Sequence, residues 1–272
     1  MTRTVTGYLF DVYPSSKGVT VWLLDQSGGK YRCFHKFTPS FFLHLNGTDA
    51  RRAEVLGARC PIPLTLTRAT KTEIYSGDSL DVLQVNVQDA MRFRDVVWYY
   101  ERFFPHFAFF NSDILVAQLF LYETQLFPLA FGDYEFGEDG QLVGWTLRDS
   151  REATEYHLPP FSIMLLRNAN DFVPPKYQTH LQLEVIYEGR TYVLEQETPR
   201  DVLDALNWHL HRCDPDIILT DYGDSVLMPK ITALAQRYKV PLLFNRDQDA
   251  GYVTTKESSF FQYGKIVHKD GA

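Results

Sequence analysis

At 272 residues, 45% hydrophobic and 15% aromatic, the chain has enough apolar side chains for one large or two modest packed domains, which argues against a disordered chain. The net charge of −7 is spread along it, with 15 basic against 19 acidic residues in 1–157 and 12 against 15 in 158–272, so strong autonomous nucleic-acid binding is not expected. No apolar run is long enough for a leader or a bilayer span, and the three scattered cysteines (Cys33, Cys60, Cys213) show no metal spacing, so a cytoplasmic protein with reduced thiols and no membrane partner is expected.

Residues 5–45 read as antiparallel strands. Gly7–Val12 leads to a turn at Pro14–Gly18, and Val19–Leu24 alternates with Thr20, Trp22 and Leu24 on one face. Lys30–Lys36 is a third strand, and Phe37–Leu43 ends the meander. The pattern predicts a short helix over Ala50–Leu56, a break at Pro61-Ile62-Pro63, and strands over Leu64–Tyr75 and Leu80–Val87 joined at Ser76-Gly77-Asp78. Phe93, Val96, Val97 and Tyr100 form a stripe on a helix over Ala90–Phe103. Asn111 is a candidate cap for a helix over Asp113–Gln125. The aromatic run Phe103–Phe110 reads as core packing between helix and sheet in preference to base stacking. Gly132–Tyr156, polar and dotted with glycines, returns a few strands, Leu142–Leu147 among them. The domain boundary is placed at His157-Leu158-Pro159-Pro160, giving domains 1–157 and 158–272.

Beyond it, Phe161–Leu166 reads as a buried strand, and Thr179–Ile186 with Arg190–Gln196 as a hairpin around Glu188-Gly189. Val202, Leu203, Leu206 and Leu210 share one face of a helix over Asp201–Arg212, behind Pro199 and a Thr198 cap. Asp214-Pro215-Asp216 breaks that helix. Ile217-Ile218-Leu219 reads as a short strand buried on both faces and ended by a polar turn, Thr220–Ser225. A helix over Ile231–Tyr238 and strands over Val240–Phe244 and Phe260–His268 follow. Polar groups at the carboxyl end of such a buried strand are where α/β sheets place their sites. His209 and His211, two apart on a helix, point to different faces and read as packing or surface residues.

The stretch DVLDALNWHLHRCDPDIILTDYGDSVLMP (Asp201–Pro229) resembles the second exonuclease motif region of family-B DNA polymerases. There a helix leads into DPDII, a strand, an Asn-containing turn and a Phe-Asp pair before Pro; DPDIIL matches residue for residue. Phe37–Leu43 is similar to the family's Phe-x-Pro-x-Phe segment. Phe109–Leu129 follows its Tyr-Glu-Ala-Asp-Ile, Arg-Tyr-Leu and Gly-Leu-x-Pro pattern, with Gln118 and Phe120 in place of Arg and Tyr. The resemblance implies an α+β or α/β fold of two domains. The first is a mixed, β-rich domain of the polymerase N-terminal type over 1–157. The second is an RNase-H-like exonuclease domain with a mixed sheet over 158–272, cut short of the third exonuclease motif. It also implies a piece of a longer polymerase of DNA replication or repair, without the palm, whose partner in the full protein is single-stranded or template DNA and whose location is cytoplasmic or at the nucleoid.

The family's first exonuclease motif presents Asp-x-Glu after a Pro-Pro-Leu-Lys-Ile-Leu strand. Pro159–Leu166 fits that strand, which places Arg167 at the Asp and Ala169 at the Glu. In the second motif Tyr222 or Gly223 stands for the Asn, and Leu227 for a metal-binding Asp. Two-metal cleavage holds two divalent ions about 4 Å apart among several carboxylates. A guanidinium and two hydrocarbon side chains cannot do so. The expectation is therefore an exonuclease fold without its chemistry: no catalytic residue, no cofactor, and a structural or template-guiding role. Arg167 would fill the vacated pocket by pairing with Asp221 or Asp224, or would contact a phosphate. The alternative is an active 3′–5′ exonuclease using Mg2+ or Mn2+ at a relocated site of Asp216, Asp221 and Asp224. Against it, Asp216 reads as a turn cap and the other two as solvated. A shifted alignment with Leu181-Gln182-Leu183-Glu184 at the first motif keeps one carboxylate but leaves too few residues before the second.

Overall fold

The computed structural model describes residues 3–45, 47–155, 157–169, 181–247, 256–262 and 265–271, without the side chains of residues 224 and 256–271. Two units emerge, Met1–Pro160 and Phe161–Ala272.

In the first unit, β1 (Arg3–Ser15), β2 (Gly18–Asp25) and β3 (Lys30–His35) are followed by β4 (Ser40–His44), α1 (Gly47–Ala58), β5 (Leu64–Thr72) and β6 (Ser79–Val87). Then come α2 (Phe93–Phe103), β7 (Ala108–Phe110), α3 (Val116–Thr124), β8 (Phe131–Phe136) and β9 (Leu142–Leu147). One antiparallel sheet has the order β3-β2-β1-β8-β9. The other has the order β5-β6-β4-β7, the split β-α-β-β-α-β arrangement. The strand at Phe37–Leu43 therefore does not end the meander. Its ladder-forming part, β4, is central in the second sheet, where Phe41 lies opposite Val85 and Leu43 opposite both Leu83 and Phe109. Phe41 and Leu43 need cover on a helix-bearing face, and α1 and α2 supply it; the two sheets share one core.

Two helices start later than the sequence predicts. A 3-10 turn at Ala90–Arg92, capped by the Asp89 side chain, precedes α2. Asn111 takes a left-handed φ of 59° and does not cap α3; instead the Leu115 amide donates to the Gln118 side chain at 3.3 Å. An extended Leu115 keeps the segment from Asp113 out of the helix.

The second unit holds β10 (Ile163–Asn168), β11 (Leu183–Tyr187), β12 (Arg190–Leu194), α4 (Pro199–Cys213), β13 (Ile217–Thr220), α5 (Met228–Tyr238), and a hairpin of β14 (Lys256–Gln262) and β15 (Lys265–Gly271). A π-helical turn, Gly223–Leu227, leads into α5. The sheet order is β12-β11-β10-β13, with β10 and β13 parallel and the other pairs antiparallel. Thr198 caps α4 by accepting the Asp201 amide at 3.3 Å. Val202, Leu203, Leu206 and Leu210 bury against Met164, Leu166, Leu183 and Val185.

Three expectations fail here. Ile217–Leu219 is not buried on both faces: β13 is an edge of this sheet among the described residues, and Leu219 is half-exposed. Val240–Phe244 is no strand. Pro241 lacks an amide hydrogen, and the Asn207 side chain serves as the segment's partner, donating to Pro241 O at 2.7 Å and accepting from Leu243 N at 3.1 Å. The strand read over Phe260–His268 is instead divided between the two antiparallel strands β14 and β15. The predicted strand at Thr179 begins outside the described residues.

Candidate functional site

Leu166 lies opposite Thr220 in the parallel pair, so β10 and β13 end side by side. The segments there are Arg167-Asn168-Ala169 and Asp221-Tyr222-Gly223, the two that the motif comparison singles out. Alternation along β10 puts Met164, Leu166 and Asn168 on the helix-covered face and Ile163, Leu165 and Arg167 on the other. Arg167 belongs to the strand and does not follow it.

Directly opposite Arg167 on β11 is Glu184, and the guanidinium Nε donates to its Oε2 in an ion pair. Opposite charges facing each other across a ladder attract. Across the ladder Arg167 thus meets Glu184, a partner set by strand register, which is invisible in the sequence. Asp221 is exposed, and the Asp224 side chain lies outside the described ones. Ala169 offers only its backbone, whose amide donates to Gln182 O at 3.0 Å.

Leu227 is buried in the core beside Leu203, Leu206 and Ile231. Tyr222 is exposed, with a left-handed φ of 52°, and its carbonyl accepts the amides of Val226 and Leu227 at 3.0 and 3.1 Å. Gly223 is required by close approach, since a Cβ there would stand 1.9 Å from Thr220 Oγ1.

Asp216 stands at the opposite end of β13 from Asp221. It precedes β13 while Asp221 follows it, and five residue steps along a strand are roughly 16 Å. Its carboxylate is engaged at the amino end. Oδ2 accepts both the Ser162 amide and hydroxyl at 2.8 Å, and Oδ1 accepts Arg246 Nη2 at 2.6 Å. Arg246 also donates to Asp214 Oδ1 at 2.6 Å and to Pro215 O at 2.9 Å. The DPD triplet is a clasp that ties the start of β13 to the start of β10 and to the segment after α5, more than the simple turn cap that the sequence suggests. Ser162 and Arg246 carry these roles without a motif to announce them.

His209 is buried against the Tyr192 ring at 4.7 Å, and burial pushes its pKa down; His211 is exposed. Among the described residues no three His, Cys, Asp or Glu side chains gather so as to hold a metal. Among the described residues the three motif-matched positions offer no carboxylate to a pair of divalent ions. One position carries a cation, a second has no side-chain oxygen, and a third is a buried hydrocarbon.

Among the described residues no helix is long and apolar enough to cross a membrane. Neither a protein-family model nor a curated protein matches the chain. A solved structure that does resemble it is the family B DNA polymerase from the hyperthermophilic archaeon Pyrobaculum calidifontis, at 19% identity and a TM-score of 0.69 over 97% of this chain. The chain spans 35% of the length of that polymerase. It shares its fold with about a third of a family-B DNA polymerase.

Proposed function

We propose that the chain is the N-terminal and exonuclease-like region of a family-B DNA polymerase of replication or repair. Its second unit is a degenerate RNase-H-like domain that has kept the frame and lost the chemistry. The observation that carries this reading is the charge and burial at the two strand ends. Arg167, paired with Glu184 across the ladder, and a buried Leu227 occupy places where the motif alignment calls for carboxylates. Exchanging −1 for +1 beside two dications is strongly unfavourable electrostatically. Without metal ions the unit serves as scaffold, and it guides single-stranded template only within the full protein, in the cytoplasm or at the nucleoid.

Incubation of the chain with labelled single-stranded DNA and Mn2+ or Mg2+ should leave the strand at full length, and calorimetric titration with Mn2+ should give no binding curve. Metal-dependent shortening from the 3′ end, or tight Mn2+ binding abolished by Asp221→Ala, would overturn the reading.

A further inference from the structure

Arg51, Arg52, Val55 and Leu56 lie along one side of α1, with Arg59 just past its end, and the end of α2 brings Phe103 and the following Phe104 against them. Together they line a groove of about 400 Å3. Phe104 is buried, while Val55 and Phe103 remain 54% and 52% exposed. The two helices are tied together, since the Tyr99 and Tyr100 hydroxyls donate to Leu56 O and Ala53 O, both at 3.2 Å. The groove is therefore built into the packing of the unit.

Its charge runs against that of the chain. Arg52 pairs with Asp49 at 2.9 Å and lies over the Phe104 ring. Glu54, the other acid of α1, is engaged by Arg68. Arg51 and Arg59 are exposed and make no side-chain hydrogen bond or ion pair among the described residues. Uncompensated guanidinium groups thus rim an apolar trough on a molecule of net charge −7.

We infer that this groove docks an acidic peptide segment of a partner protein, one that spaces apolar anchors between aspartates and glutamates. A leucine or phenylalanine side chain laid on Val55, Leu56, Phe103 and Phe104 leaves no polar group unpaired. Carboxylates on either side of it meet the guanidinium forks of Arg51 and Arg59. Adenine, guanine and cytosine in the same place would bring amino donors that neither guanidinium nor hydrocarbon side chains can accept, and thymine, which has none, is the base that the test below includes. A bare phosphate would leave the trough unfilled. The inference stands independently of the exonuclease reading.

Fluorescence anisotropy tests it, using the full chain and a short labelled peptide with Leu and Phe anchors in a Glu/Asp background. Saturable binding is expected. It should weaken at least about tenfold for the Arg51→Glu, Arg59→Glu double variant, for Phe103→Ser, and for a peptide with Gln and Asn in place of its acids. All three substituted side chains are exposed, so circular dichroism should be unchanged. A peptide that does not bind, or binds the charge-reversed chain equally well, overturns the inference. So does a thymidine oligonucleotide that binds more tightly than the peptide and depends on the same arginines.

Discussion

Asp216 has a side chain only 2% exposed, with one oxygen held by Ser162 and the other by Arg246. A carboxylate that deep loses several kcal/mol of hydration and is tolerated because its partners replace it. Asp216→Ala removes the acceptor and leaves Arg246, itself 17% exposed, with Asp214 and two carbonyls. We expect the variant to lose about 3 kcal/mol of unfolding free energy in urea, and Asp221→Ala, at an exposed site, to change it by less than about 0.5 kcal/mol. Equal effects from the two would show that the triplet is an ordinary turn and not a clasp. The helix break at Asp214-Pro215-Asp216 was readable from proline chemistry alone. The clasp was not, because Arg246 lies 30 residues further on in a segment without periodicity. Glu184 was hidden for a related reason: its place beside Arg167 depends on strand register, which no local pattern encodes.

Most helices and strands could be read from their periods, and the local pairings β1-β2-β3, β5-β6 and β11-β12 with them, yet the pairings between strands distant in sequence could not. Strands adjacent in sequence pair often enough that β4 reads as the end of a meander, but two helical crossovers carry it into the centre of the second sheet. Val240–Phe244 shows the opposite limit, since an apolar run reads as a strand whether or not a neighbour offers it a ladder. The packing of α1 gives a sharper test of this element-level reading. Gly57 lies inside a helix, where alanine ordinarily gains about 1 kcal/mol. Here an added Cβ would stand 2.6 Å from Tyr100 Oη and 2.8 Å from Leu66 Cδ1, both in the interior between α1, α2 and the sheet. Overpacking at such a site costs about 1–3 kcal/mol, and displacing the Tyr100 hydroxyl threatens its bond to Ala53 O. Gly57→Ala should therefore destabilise the chain by about 1–2 kcal/mol in urea unfolding. In a Tyr100→Phe background, with the nearer obstacle gone, the same substitution should cost less. Stabilisation by Gly57→Ala in the parent chain would mean that α1 is not pressed against α2 as described.

Charge is a property of the whole molecule, and it limits what this region can do by itself. Both sequence halves carry an acidic excess, and several arginines are already neutralised inside the chain. Arg68 pairs with Glu54, Arg92 with Asp95, Arg148 with Asp133, Arg167 with Glu184, and Arg246 with Asp214 and Asp216. Affinity for a single strand comes mainly from cations that displace condensed counterions, with a slope of about −0.7 in log K against log salt per phosphate neutralised. A cation held by a neighbouring carboxylate contributes little to that exchange. We therefore expect the isolated chain to bind a labelled thymidine oligonucleotide no more tightly than about 10⁻⁴ M at physiological salt, the weak end of non-specific binding, with a slope no steeper than about −1.5. Anisotropy titrations across a salt series measure both quantities. Micromolar binding with a steep slope would place a template path on this region alone. On the function proposed above, template guidance would then rest on these two units themselves.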